Sequence, residues 1–242
     1  MFRLIRVELK KLTSSRMLWL IVVGGVIPAI IAALMLMNHE NIGWKSYLNV
    51  SMDVFNSQSL LTFACFTSFI WAREYEENTM EITLCYPYPK YYLLMSKLVV
   101  LLLIIICTTI LWVLGSGISG ALLLGQALEK NMVFQLLKVL GPIVLMQFML
   151  LTITFYVTIF TKQILSGVAM GVMCVALCTI FQTSAFIQYI PFCIPLVISH
   201  NLFGFHNIIL YSYSTSWYIL IASFVISLFL CIFTLKKKWE FR

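Results

Sequence analysis

The chain has 242 residues, of which 62% are hydrophobic and only 10% charged, with a formal net charge of +7. An ordinary soluble domain is nearer ~45–50% apolar and ~25% charged, so these residues cannot tile a water-facing surface. The sixteen basic residues are scattered at the ends of apolar runs and form no stripe with interleaved aromatics, which argues against a nucleic-acid partner.

Residues 1–16, MFRLIRVELKKLTSSR, place Phe2, Ile5, Leu9 and Leu12 at three- and four-residue steps, with Arg3, Arg6, Lys10 and Lys11 between them. This pattern predicts a short amphipathic helix lying in the interface, in contact with membrane lipid. A span of roughly 20 residues is needed to cross a hydrocarbon core of about 30 Å. The first such run is 17–37, too long for a cleaved signal peptide. It contains Gly24, Gly25 and Pro28, and the proline should bend the helix or free a carbonyl. The second run, 54–72, is weaker: Asn56, Ser57 and Gln58 at one end must face protein, water or headgroups. The third runs from Leu98 to Leu124, the fourth from Val139 to Phe160, the fifth from Ile164 to about Phe186, and the sixth from Trp217 to Leu235. Trp19, Trp44, Trp71, Tyr91, Tyr92, Trp217 and Trp239 fall near the run ends, as interface anchors should.

Six spans put both termini on one side of the membrane. With the amino terminus cytoplasmic, thirteen of the sixteen basic residues are inside, and only Lys45, Lys130 and Lys138 are outside. The expected fold is therefore an all-α integral membrane protein, one multi-pass transmembrane domain over 1–242 with both termini cytoplasmic. The connection 187–215 carries no Asp, Glu, Lys or Arg, and Pro191 and Pro195 are too close for one straight helix. Two short re-entrant helices before the sixth span would satisfy its backbone. His200 and His206 have no third ligand nearby and are read as polar contacts near the outer headgroups rather than a metal site.

The seven cysteines include no CxxC pair. Cys65, Cys107, Cys174, Cys178 and Cys231 lie within apolar runs, and Cys85 and Cys193 in connections. Cys174 and Cys178 are one helical turn apart, but no His or carboxylate accompanies them, so packing between helices is the expectation. The spans hold no HExxH, GxSxG or carboxylate pair, and no Walker motif or dinucleotide-binding glycine pattern occurs anywhere. No catalytic, cofactor-binding or metal-binding residue is assigned. If the chain drives transport, energy must arrive from another subunit.

The segment 73–90, REYEENTMEITLCYPYPK, falls on the cytoplasmic side of this topology. Asn78 can cap a helix, with Glu81 completing a capping box. Glu76 and Glu77 precede the start, where unpaired N–H groups favour negative charge. Met80, Ile82, Leu84 and Cys85 offer apolar contact, and Pro87 and Pro89 stop the helix. The pattern Glu-Tyr-x-x-x-Thr-x-Glu, then an apolar stretch, a proline and a lysine at the next span, resembles the coupling region of the type-2 class of ATP-binding-cassette (ABC) transporter permeases. Many relatives have Gly where Asn78 stands, and this loop is more acidic.

That resemblance implies an interfacial helix, six spans, and a coupling helix between spans 2 and 3 that docks on the ATP-binding subunit. By it, Glu74, Glu76, Glu77, Asn78, Thr79, Glu81 and Tyr86 touch or position the ATPase. It implies two ATP-binding subunits carrying the ATP and Mg, a second identical or homologous permease chain, and a bacterial cell membrane. The short loops look most like permeases that expel bacitracin, lantibiotics or related amphipathic peptides. An exporter of lipid, polysaccharide or ions is the alternative, and a membrane enzyme or receptor a more distant one. Gln58, Thr62, Thr67, Ser68, Thr179 and Gln182 are candidates for the substrate path, or equally for helix–helix hydrogen bonding.

Overall fold

The computed structural model describes residues 2–13, 15–38, 43–77, 79, 90–126, 128, 130–182, 184–203 and 213–240. The described residues are helical almost throughout. In chain order, the helices are α1 (Phe2–Thr13), α2 (Trp19–Leu36), α3 (Trp44–Glu76), α4 (Lys90–Leu124), α5 (Lys130–Thr161), α6 (Ile164–Phe181), α7 (Ile194–Phe203) and α8 (Tyr213–Glu240). Short 3-10 turns occupy Arg16–Leu18, Ala185–Tyr189 and Pro191–Cys193.

Among the described residues, five helices are long and apolar enough to cross a membrane: α2, α4, α5, α6 and α8. The second expected run, 54–72, lies inside α3, which is 33 residues long but too polar to qualify on composition. Packing explains how that polarity is tolerated. α3 sits against α2, α4, α5, α6 and α7, so its polar groups face protein. The Trp112 indole N–H donates to Ser51 Oγ at 3.0 Å, Asn56 Nδ2 to Ser199 Oγ at 3.0 Å, and Gln147 Nε2 to Ser59 Oγ at 2.8 Å. Each such bond between membrane helices contributes about 0.6–2 kcal/mol. Phe55 stacks on Trp112 with centroids 4.6 Å apart.

The fifth run is shorter than its apolar sequence suggests. α6 stops at Phe181, and Ser184 Oγ accepts from the Phe186 N–H to start a separate 3-10 turn. Pro191 at the first position of the next turn, and Pro195 just inside α7, then set two further helical starts, where a missing N–H costs nothing. Pro28 lies in the interior of a continuous α2.

Two apolar clusters fill the bundle. One, around Tyr47, Phe55, Trp112, Met146 and Ile194, occupies the end where α3 begins. The other, around Phe66, Trp71, Leu101, Phe155 and Cys231, occupies the end where α3 finishes, and includes Leu12 of α1. Small residues permit close approach: Gly167 and Gly171 of α6 face Ser68 and Ala64 of α3, while Gly24 of α2 faces Thr62. Between membrane helices, where lipid supplies no hydrophobic drive, such close backbone contact supplies the packing energy.

Candidate coupling junction

The carboxyl-terminal end of α3 is joined to α1 and α4 through charge. Lys97, on the first turns of α4, is fully buried. Its ammonium donates to the Ile70 carbonyl at 2.8 Å and to Glu74 Oε1 at 3.1 Å. It lies 3.7 Å from Glu8 Oε2 of α1 and 5.3 Å over the Trp71 ring. Lys11, also on α1, donates to the same Glu74 Oε1 at 2.8 Å and to Glu8 Oε1 at 3.4 Å. Glu8 and Glu74 are buried in turn, so two carboxylates and two ammonium groups neutralise one another where water is scarce. Glu74 Oε2 has no partner among the described residues.

A second set of contacts ties the same end of α3 to the turn between α5 and α6. Glu76 Oε1 accepts from the Ile164 backbone N–H at 3.0 Å, placing a carboxylate on the amino terminus of α6, where the helix dipole favours it. Lys162, in the left-handed backbone region at φ 59, holds its ammonium 5.4 Å over the Tyr75 ring. Glu77 accepts from Arg73 Nε at 2.7 Å in an exposed pair one helical turn long. The Thr79 N–H donates to the Glu74 carbonyl at 3.0 Å and closes the helix end.

Of the coupling residues read from sequence, Glu74, Glu76, Glu77 and Thr79 thus cluster at one helix end. Asn78, Glu81 and Tyr86 lie outside the described residues. On α1, Arg3, Arg6 and Lys10 are exposed, whereas Lys11 turns into the cluster, and Leu12 enters the core while Leu9 stays outward. Glu8 and Lys97 were not singled out from sequence. In a chain with nine acidic residues, a glutamate on an otherwise basic helix and a lysine inside an apolar run were the available signal.

The six path candidates separate. Thr62, Thr67 and Ser68 are buried, and their hydroxyls donate to the carbonyls of Gln58, Phe63 and Ala64 on their own helix. Gln58 is half-buried with no partner for Oε1 among the described residues, while Thr179 on α6 and Gln182 just beyond its end are exposed. His200 does not stand alone: its ring pairs with Asp53 of α3.

Charge balance gives the cluster a defined pH window. Burial pushes the Glu74 carboxyl up, but the Lys97 and Lys11 charges outweigh it and hold the group below its ordinary 4.5. Burial pulls the Lys11 ammonium down, but hydrogen bonding and charge from Glu74 and Glu8 outweigh it and raise the group above 10.5. Glu74's contribution is therefore complete above pH 4.5 and lost as pH falls through its lower folded-state value. Lys11's is complete below pH 10.5 and lost as pH rises through its higher one. Protease accessibility of α1 is expected to stay flat between these limits and rise in acid, with salt weakening the half-exposed Lys11 contact first. Release of α1 near neutral pH would contradict this assignment.

A family model described as ABC-2 family transporter protein matches residues 4–178. The chain belongs to that family. The match spans Glu8, Lys11, Glu74, Lys97, Lys162 and Ile164, so the whole junction lies within the part that defines an ABC-2 permease. No curated protein gives a match. ABC-2 permeases are non-catalytic transport subunits. Among the described residues of this permease, no three His, Cys, Asp or Glu side chains converge on a point where a metal could sit. Membership implies partnership with ATP-binding subunits.

Proposed function

We propose that this permease is the membrane-spanning half of an ATP-driven exporter that expels amphipathic antimicrobial peptides of the bacitracin or lantibiotic type from a bacterial membrane. Two ATP-binding subunits carry the ATP and Mg, and a second identical or homologous permease chain completes the assembly. α3 carries the second of six spans, both termini are cytoplasmic, and 73–90 is the docking segment.

The observation that carries this reading is the junction. The end of α3 leading into 73–90 is held by charge to α1 and α4 and by a helix-end contact to α6. A push on 73–90 therefore reaches several helices at once, because packed helices move as bodies. Glu77, Asn78, Thr79, Glu81 and Tyr86 touch the ATP-binding subunit, while Glu74 and Glu76 position the segment from α3. Along the path, Gln58, Thr179 and Gln182 contact the peptide, and Thr62, Thr67 and Ser68 maintain the α3–α6 seam.

Cells making the permease with its ATP-binding partner should tolerate several-fold more bacitracin or lantibiotic than cells making the partner alone. The double charge reversal E77K/E81K should abolish that protection while leaving the chain inserted. Equal growth across the peptide panel would rule out the peptide assignment, and full protection by the charge-reversed permease would rule out the docking role.

A further inference from the structure

At the end of the bundle remote from the junction, two sulfurs meet. Cys178 lies on the buried face of α6 that also carries Gly167, Gly171 and Cys174. Cys193 closes the 3-10 turn Pro191–Cys193 that leads into α7. The Cys193 thiol donates to Cys178 Sγ at 3.2 Å, and both residues are buried. We propose that Cys178 and Cys193 are a redox-active dithiol that closes to a disulfide and fastens α6 to the segment entering α7.

A disulfide needs its sulfurs about 2.0 Å apart, so small side-chain rotations suffice here. The neighbouring choice, Cys174 with Cys178, is excluded by helix geometry. Residues four apart on a helix hold their Cβ atoms about 5–6 Å apart, and a disulfide requires about 3.5–4.5 Å. Among the described residues, Cys65, Cys107 and Cys231 make no sulfur–sulfur contact; Cys174 also lies near Cys193, and the 3.2 Å contact singles out Cys178 as its partner.

α7 is the element that reaches α3 through His200 with Asp53 and Ser199 with Asn56. Bridging Cys178 to Cys193 thus joins α3, α6 and α7 into one body at this end. On the proposed topology that end faces the exterior, where oxidising disulfide carriers operate. In the exchange, the Cys178 thiolate attacks one sulfur of an incoming protein disulfide, whose other sulfur leaves as a thiolate. The Cys193 thiolate then attacks Cys178 Sγ in the mixed disulfide and displaces the carrier. Two electrons and two protons pass to the carrier, which departs as a dithiol.

The test uses the full chain in membranes, with copper phenanthroline and air as the oxidant probe, followed by alkylation under denaturing conditions and peptide mapping. The expected result is a 178–193 cross-linked peptide, lighter by two hydrogens than its two parts and released by dithiothreitol. It should persist in C174S and vanish in C178S, where Cys193 is recovered alkylated. Oxidation should also raise the midpoint of thermal unfolding by a few degrees in the wild type and not in C178S. Recovery of both cysteines as alkylated thiols after oxidation, or a bridge to Cys174 instead, would overturn the proposal. Neither readout needs an ATPase or a substrate, so failure here is separable from failure of the export reading.

Discussion

Replacing Lys97 by Met is expected to destabilise the permease by about 3–5 kcal/mol, the usual cost of removing one partner from a buried ion pair. Met matches the length of the lysine stem, so the loss is one of charge rather than volume. It leaves Glu8 and Glu74 buried with only the half-exposed Lys11 to balance them, and it takes from the Ile70 carbonyl its side-chain donor. The E74Q/K97M pair should lose less than the sum of its single changes, because the neutral amide no longer demands a cation. Thermal unfolding in nanodiscs measures the loss, and protease cleavage near residues 13–18 reports whether α1 has come away. A K97M chain as stable as the wild type would mean that the cluster holds nothing together.

The second large effect is at the α3–α6 seam. A Cβ added at Gly167 would overlap Ser68 Oγ and come within 2.7 Å of Thr158 Oγ1; one added at Gly171 would sit 2.7 Å from Ala64 Cβ. Overpacking of this kind costs about 1–3 kcal/mol, and more where the opposing atoms are helix-borne and cannot swing aside. G167L is expected at or above the top of that range, with G167A smaller and partly relieved by S68G. G141L is the control, because a Cβ there meets nothing within 4 Å. Retained fluorescence of a carboxyl-terminal reporter after size-exclusion chromatography ranks the variants. Equal behaviour of G167L and G141L would dissolve the seam as a packing determinant.

The apolar runs were legible from sequence because a membrane helix records its solvent in every residue. α2, α4, α5 and α8 lie on their expected runs, and α6 starts at the residue expected. α3 was readable only as a weaker run. Its Ser51, Asn56 and Ser59 look like interruptions until Trp112, Ser199 and Gln147 are known to face them, from 61, 143 and 88 residues away. The end of α6 was misplaced because residues 182–186 are no more polar than a helix tail, and only the Ser184 cap marks the break.

The junction was half visible. Glu74, Glu76 and Glu77 stood out because charge is rare in this chain, and their neighbourhood supplied a motif. Their partners did not stand out: Lys11 is 63 residues away in sequence from Glu74, and Ile164 is 88 from Glu76. A basic helix beside a membrane is explained well enough by lipid headgroups, so nothing local in α1 announces that Glu8 and Lys11 turn inward. The sulfur pair was hidden similarly, since Cys178 had a nearer cysteine in sequence than the one it meets in space.

The central claim is that energy enters this permease at the end of α3. Photo-cross-linking from Glu77, replaced by a photoreactive residue in the intact complex in membranes, tests it most directly. A covalent adduct with the ATP-binding subunit is expected from position 77 and none from Ser214 at the opposite end of the bundle. An adduct from Ser214 and none from position 77 would contradict it.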